Sequence, residues 1–129
     1  MILGFKNQFA QAVANGSKPH TIRAGARWRE GMSIQFYKNV RQKSMAKIRE
    51  DAMVQVVQSI TIARTPFDPN GSYKRPTITI DDYQLTPLEC QELAQRDGFD
   101  SFSELLIWFD KTHGLPFTGQ LVGWTNLRY

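Results

Sequence analysis

The sequence has a single cysteine, Cys90, and only two histidines, His20 and His113. One cysteine excludes an intrachain disulfide and any zinc cluster built on cysteine ligands. Neither histidine stands in a recognised metal-ligand spacing such as His-Glu-x-x-His. We therefore predict no metal site, and nothing in the sequence calls for a cofactor.

Long apolar runs are also missing from the sequence. No stretch approaches the roughly 18 residues that a membrane-spanning helix needs, and the first residues lack the basic segment and apolar run of a signal peptide. We therefore expect no membrane partner and a cytoplasmic location. The 129 residues, 41% of them hydrophobic, fit one domain that buries a core without a partner, which predicts a monomer.

Acidic residues are scarce in the first half of the chain. Residues 1–64 carry 11 lysines and arginines against 3 acidic residues, whereas residues 65–129 carry 5 against 9. A basic half on one small domain favours a polyanionic partner, with nucleic acid the first candidate. A solvated surface that keeps the protein soluble is the other interpretation, and charge alone leaves both open.

Apolar periodicity and turn residues predict the order of the elements. The predicted strands are 1–5, 33–37, 53–63, 77–80 and 120–127, and the predicted helices are 6–15, 87–96 and 102–112. Capping boxes at Thr86 and Ser101 mark the starts of the last two helices. Residues 17–30 and 64–76 are predicted loops, and residues 38–50 stay unassigned. Strands joined without helices favour antiparallel pairing, and we expect the first and last strands to meet, which gives an α+β fold.

One motif follows the first helix and is spaced as Gly-x-Lys-x-x-Thr-x-Arg: Gly16, Lys18, Thr21 and Arg23. A glycine, Gly31, then precedes a strand, and Asp97-Gly98-Phe99 comes ahead of the last capped helix. In these motifs, and in the order of elements along nearly the whole chain, the sequence resembles the ASCH domain family of the PUA-like superfamily. The resemblance implies a single domain over residues 1–129, a small mixed or antiparallel β-barrel flanked by about three helices, with a cleft beside the first helix.

The resemblance also implies a function. Some ASCH members resemble amidohydrolases that remove the acetyl group from N4-acetylcytidine with a lysine, a threonine and a glutamate. Lys18 and Thr21 match the first two, and Asp97 stands at the glutamate position with a side chain one methylene shorter. Other members are reported to bind or cleave RNA. The predicted function is therefore deacetylation of N4-acetylcytidine, with a non-catalytic RNA-binding module and a ribonuclease of single-stranded RNA as alternatives.

The chemistry of these residue types agrees with catalysis but leaves one point open. Threonine is a poor nucleophile unless a neighbour takes its proton, so Lys18 must be neutral to serve as the base. Burial and nearby cations such as Arg23 would lower the lysine pKa, whereas close pairing with Asp97 would raise it. Asp97 would either donate a proton to the leaving amine or hold Lys18 in place.

A second group of residues is predicted to bind substrate or RNA. Arg23 offers a planar fork of donors for a phosphate or a pyrimidine edge, and His20 lies within the motif. The remaining candidates combine cations with an aromatic ring that can stack on a base: Arg27, Trp28, Lys38, Arg41 and Lys43. For Trp28 a hydrophobic lid over the barrel is the other interpretation, and for the cations and His20 it is an exposed loop position.

Overall fold

The computed structural model describes residues 1–64 and 76–129, and these residues form an α+β fold with three helices. The helices are α1 (Asn7–Asn15), α2 (Pro87–Arg96) and α3 (Phe102–Thr112). The strands are β1 (Ile2–Phe5), β2 (His20–Ala24), β3 (Ser33–Lys38), β4 (Ala46–Lys47), β5 (Ala52–Met53), β6 (Val56–Arg64), β7 (Pro76–Ile80), β8 (Tyr83–Gln84) and β9 (Phe117–Gly123). The predicted loop at 64–76 lies almost wholly outside the described residues.

The described strands form two sheets. In the first, β1 runs parallel to β3, and β3 pairs antiparallel with the short strands β4 and β5. The second sheet is antiparallel, in the order β2-β9-β6-β7-β8. Among the described residues the sheets do not close into a barrel, because β1 and β2 each pair on one side only. The predicted barrel is therefore wrong, although the α+β class and the three helices are confirmed.

The first and last strands do not meet, contrary to the prediction. β9 lies between β2 and β6 in the antiparallel sheet, whereas β1 belongs to the other sheet. Gly119 permits the close pairing of β9 with β2, since a Cβ at this position would collide with the backbone oxygen of Arg23. The last strand, β9, therefore lies beside β2, which carries Thr21 and Arg23 of the motif, and not beside β1.

Strand β2 is the main element that periodicity missed. Residues 20–24 read His-Thr-Ile-Arg-Ala and show no apolar alternation, so periodicity predicts a loop here. It is a strand because five successive residues pair with β9, from His20 opposite Gly123 to Ala24 opposite Gly119. Pairing partners distant in sequence override local propensity at such positions.

The two helix starts agree with their sequence signals. Thr86 accepts a hydrogen bond from the Glu89 backbone nitrogen, and the Glu89 carboxylate accepts one from Thr86, which completes a capping box. Ser101 accepts from the Glu104 backbone nitrogen at the start of α3. Large buried side chains such as Phe36 and Phe109 fill the hydrophobic core between the sheets and the helices. No described helix has the length and hydrophobicity needed to cross a membrane.

Candidate active site

A cavity of about 180 Å³ lies where the end of β1, α1, β2 and the C-terminal ends of α2 and α3 come together. Its walls are largely aromatic and combine side chains from β1, from α1, from the turn after α2 and from α3: Phe5, Phe9, Phe99, Trp108 and Phe109. Its polar lining consists of Lys6, Lys18, Thr21, Arg23, Asp97 and His113. Asp97 therefore lies on the same concave surface as Lys18, Thr21 and Arg23, although it is more than 70 residues away from them in the sequence.

Lys18 reaches the cavity because the chain reverses after α1. Gly16 caps the helix in the left-handed conformation (φ 84°), and the Lys18 backbone nitrogen then donates to the Ala12 oxygen at 3.0 Å. The Lys18 side chain is buried, and its ammonium lies 5.2 Å from the centre of the Phe9 ring. Lys18 Nζ donates to the backbone oxygen of Asp97 at 2.6 Å and to its Oδ1 at 2.8 Å.

Asp97 is fixed by the C-terminus of α2. The Phe99 nitrogen donates to the Ala94 oxygen at 2.9 Å and the Gly98 nitrogen to the Gln95 oxygen at 3.1 Å, which is a Schellman motif. Gly98 has a φ of 98°, and a Cβ there would lie 2.9 Å from the Phe9 ring. The Asp-Gly-Phe sequence therefore ends the helix and turns the Asp97 carboxylate into the protein. Lys18 offsets the unfavourable carboxylate at the negative end of the helix.

The opposing effects on Lys18 are resolved by its burial. Burial lowers the pKa of Lys18 below its ordinary value, and the attraction of Asp97 opposes this shift without cancelling it. For Asp97, burial raises the pKa, but the charge of Lys18 and the hydrogen bond from His20 hold it below its usual range. The cavity thus holds an ionised carboxylate beside an amine that loses its proton more readily than a free lysine.

Thr21 and Arg23 lie on the same face of β2, two residues apart. Arg23 Nε donates to Thr21 Oγ1 at 3.2 Å, and its Nη2 donates to the Gly4 oxygen at 2.6 Å. The guanidinium lies 5.0 Å from the centre of the Phe5 ring. Burial lowers the pKa of Arg23 to about 10, which leaves it charged at neutral pH. A cation therefore points its donor at the hydroxyl that is the candidate nucleophile.

His20 is neither an exposed loop residue nor part of the cavity wall, in contrast to both interpretations of the sequence. It is buried at the start of β2, with Nδ1 3.0 Å from Asp97 Oδ1 and Nε2 2.8 Å from the Tyr129 hydroxyl. His20 is therefore in contact with the Asp97 carboxylate, on which Lys18 also depends.

Of the residues predicted to bind substrate or RNA, only Arg23 lines the cavity. The prediction of Trp28 as a base-stacking residue is wrong, because this side chain is 1% exposed and belongs to the core. Gln120 fixes its backbone through two hydrogen bonds of 3.0 Å. Arg27, Arg41 and Lys43 are exposed, while Lys38 is half-buried, and none of these cations lines the cavity.

No protein-family model matches this sequence, and neither a curated protein nor a solved structure matches it. The likeness to ASCH domains stays a prediction that rests on the motif residues.

Three cavity or network residues were not singled out by sequence reasoning as parts of the site. Lys6 and Trp108 line the cavity together, with the Lys6 ammonium 5.2 Å from the centre of a Trp108 ring. Tyr129 is hydrogen-bonded to His20. None of these residues belongs to a recognisable sequence motif, so only the tertiary structure reveals that they are part of the site. Among residues 1–64 and 76–129, no three His, Cys, Asp or Glu side chains are arranged to hold a metal ion.

Proposed function

We propose that this protein hydrolyses the exocyclic amide of N4-acetylcytidine to cytidine and acetate. The observation that carries the proposal is the convergence of Lys18, Thr21 and Asp97 on one cavity, with a lysine whose pKa burial has lowered. The cavity is smaller than the roughly 300–1,000 Å³ of pockets that enclose drug-sized ligands. It suits an acetylated base lying between aromatic walls, with the sugar directed to solvent.

In the proposed reaction the proton that leaves the Thr21 hydroxyl is carried by Lys18 to the leaving nitrogen, N4. The Thr21 hydroxyl attacks the acetyl carbonyl while Lys18, as the free amine, takes its proton. The Arg23 donor stabilises negative charge on Thr21 Oγ1. When the bond between the acetyl carbon and N4 breaks, Lys18 returns the proton to N4, and water then hydrolyses the acetyl ester on Thr21 to release acetate.

Asp97 holds Lys18 in this scheme and does not donate a proton to the leaving amine. Its Oδ1 accepts from Lys18 at 2.8 Å and lies 3.0 Å from His20 Nδ1, and the pKa of the carboxyl is held low. An ionised carboxylate is an acceptor only. The sequence left this choice open, and the hydrogen-bond pattern favours the holding role.

The test follows cytidine release from N4-acetylcytidine for the wild type and a matched pair at the nucleophile. Thr21→Ser keeps the hydroxyl and should retain measurable turnover, whereas Thr21→Val keeps the branched shape and should lose at least about 100-fold in kcat, as expected for a missing nucleophile. Lys18→Met should lose activity as well. Full activity in Thr21→Val would contradict the assignment of the nucleophile, and absence of turnover by the wild type would contradict the function.

A second candidate function is a non-catalytic RNA-binding module, and one further observation favours it. A shallow groove of about 320 Å³ adjoins the cavity and shares Gly4, Phe5 and Lys6 with it. The groove continues to Asn39, Val40 and Gln42, in the connection that also carries Arg41 and Lys43. An RNA chain with one base in the cavity would place its backbone along this groove. RNA affinity without cytidine release would select this function.

A further inference from the structure

We propose that His20, oriented by the Tyr129 hydroxyl, is a positioning residue that shares the Asp97 carboxylate with Lys18 and thereby weakens the hold of this carboxylate on the Lys18 ammonium, so that the free amine forms more readily. The kinetic part of this inference rests on the proposed function. The effect on Lys18 itself does not, because it can be measured without substrate.

The central observation is that one carboxylate oxygen serves two nitrogens. Asp97 Oδ1 lies 2.8 Å from Lys18 Nζ and 3.0 Å from His20 Nδ1. All three residues are almost completely buried, between 2 and 3% exposed. In such surroundings charge on Oδ1 is poorly screened by water, so a second donor on the same atom has a strong effect on the first.

The direction of the hydrogen bonds follows from the chemistry of the groups. An ionised carboxylate only accepts, so His20 Nδ1 must carry a proton to bond with it. In the neutral imidazole Nε2 is then an acceptor, and the Tyr129 hydroxyl donates to it across 2.8 Å. In the protonated imidazole Nδ1 still donates to Asp97. Burial raises the pKa of Tyr129, which agrees with a hydroxyl that keeps its proton.

Tyr129 is itself held firmly enough to orient the imidazole. Its backbone nitrogen donates to Gln58 Oε1 at 3.0 Å, and its backbone oxygen accepts from Gln58 Nε2 at 2.9 Å. The Tyr129 ring packs edge-on against the His20 ring, with centroids 5.5 Å apart. Arg96 lies on the other side of the tyrosine, with Nη1 3.5 Å from the hydroxyl.

The charged groups around this network act on it in known directions. Lys18 and Arg96 are the cations, and Asp97 is the buried anion between Lys18 and His20. Arg23 acts on Lys18 by repulsion, and Glu92 acts on Arg96 and Tyr129 by its negative charge. Removing the His20 donor would leave Oδ1 to Lys18 alone. The ammonium form would then be held more strongly, and the pKa of Lys18 would rise.

The experiment uses two substitutions of nearly equal size. His20→Asn keeps an N–H donor near the position of Nδ1, and His20→Leu removes it. The Lys18 amine is titrated by NMR of its side-chain nitrogen, with thermal unfolding as the control for folding. In His20→Leu we expect the Lys18 pKa to rise by about one unit, a tenfold change in its acid dissociation constant, and in His20→Asn by clearly less.

Tyr129→Phe provides a second variant in case His20→Leu does not fold. It removes the hydroxyl that orients the imidazole and should raise the Lys18 pKa in the same direction, by a smaller amount. With N4-acetylcytidine as substrate, the ascending limb of the pH profile of kcat/KM should move to higher pH in His20→Leu and in Tyr129→Phe, in each by the same amount as the Lys18 pKa measured by NMR. His20→Asn should keep most of the kcat/KM that His20→Leu loses near neutral pH.

The outcomes separate this inference from the proposed function. Equal Lys18 titrations in the wild type, His20→Asn and Tyr129→Phe, with His20→Leu matching them if it folds, would overturn the inference whatever the activity. An activity loss of equal size in both His20 variants, without a shifted pH profile, would assign a purely structural role and also overturn it. A shifted titration in a protein without turnover would support the inference and contradict only the proposed function.

Discussion

Two groups of cations in the basic half of the chain have opposite surroundings. Lys18 and Arg23 are wholly or largely enclosed, and each has hydrogen-bond partners at 2.6 Å. Arg41 and Lys43, in the connection after β3, are exposed to solvent. The charge count treats all four alike, yet only the first pair touches the cavity. A cation is informative about a site when the fold has removed it from water and given it a specific partner.

The comparison also shows why burial and charge must be read together. An exposed ion pair such as that between Lys47 and Asp51, 3.2 Å apart and about half exposed, contributes about 0–1 kcal/mol because water screens it. The pair between Lys18 and Asp97 has lost that screening. Removing either residue of this pair would leave the other as a buried charge without its partner, so the stability of the fold and the chemistry of the cavity both depend on the pair.

The largest expected effect comes from breaking the buried pair. Asp97→Asn leaves the buried Lys18 without its anion, so we expect a loss of about 3–5 kcal/mol in the free energy of unfolding, measured by urea denaturation. Asp51→Asn, which breaks the exposed pair, should cost less than about 1 kcal/mol. The double variant Lys18→Met with Asp97→Asn should recover part of the loss. Equal costs for the two single variants would contradict the comparison.

The next effect tests the turn that aims Asp97. Gly98→Ala and Gly16→Ala both place a side chain at a positive φ, which costs about 1–2 kcal/mol each. Only at Gly98 would the new Cβ meet another group, the Phe9 ring at 2.9 Å, which adds about 1–3 kcal/mol of overpacking. We therefore expect the larger loss for Gly98→Ala in thermal unfolding, together with a loss of activity, since Lys18 is also in contact there. A larger loss for Gly16→Ala would show that the turn is not constrained by Phe9.

How far the sequence predicts this site depends on the kind of interaction involved. The capping box at Thr86 and helix α1 follow from residues close in sequence, and these predictions are confirmed. At Ser101 the cap is confirmed but the reciprocal bond of a capping box is not, because only the bond from the Glu104 backbone nitrogen is present. Strand β2 depends on pairing with β9, almost a hundred residues away, and periodicity cannot detect it. The motif placed Lys18, Thr21 and Arg23 together, but the network through His20 to Tyr129 joins residues of ordinary spacing. Trp28 was misassigned because flanking arginines make a core residue look like a surface one.

A pH titration of stability sharpens the comparison further. The pKa of Asp97 is lower in the folded protein than the ordinary value of about 3.9, so the unfolded chain binds the proton more readily. The stability that the ionised carboxylate contributes is complete above about pH 4 and is lost as the pH falls through the folded value. We expect the difference in unfolding free energy between the wild type and Asp97→Asn to shrink between about pH 4 and pH 2 in urea titrations. A constant difference over this range would contradict the ionised state of Asp97.

The smallest effect on stability is expected at the exposed cations. Arg41→Ala and Lys43→Ala should change the free energy of unfolding by no more than about 0.5 kcal/mol, because both side chains lie in water. If the groove beside the cavity carries an RNA backbone, each cation that contacts a phosphate adds about 0.7 to the slope of log affinity against log salt for a single strand. Fluorescence anisotropy with a labelled single-stranded RNA at several salt concentrations should then show a shallower slope in each variant. An unchanged slope would remove these two residues from the interface, and the buried cations at the cavity would be left as the chemically relevant part of the basic half.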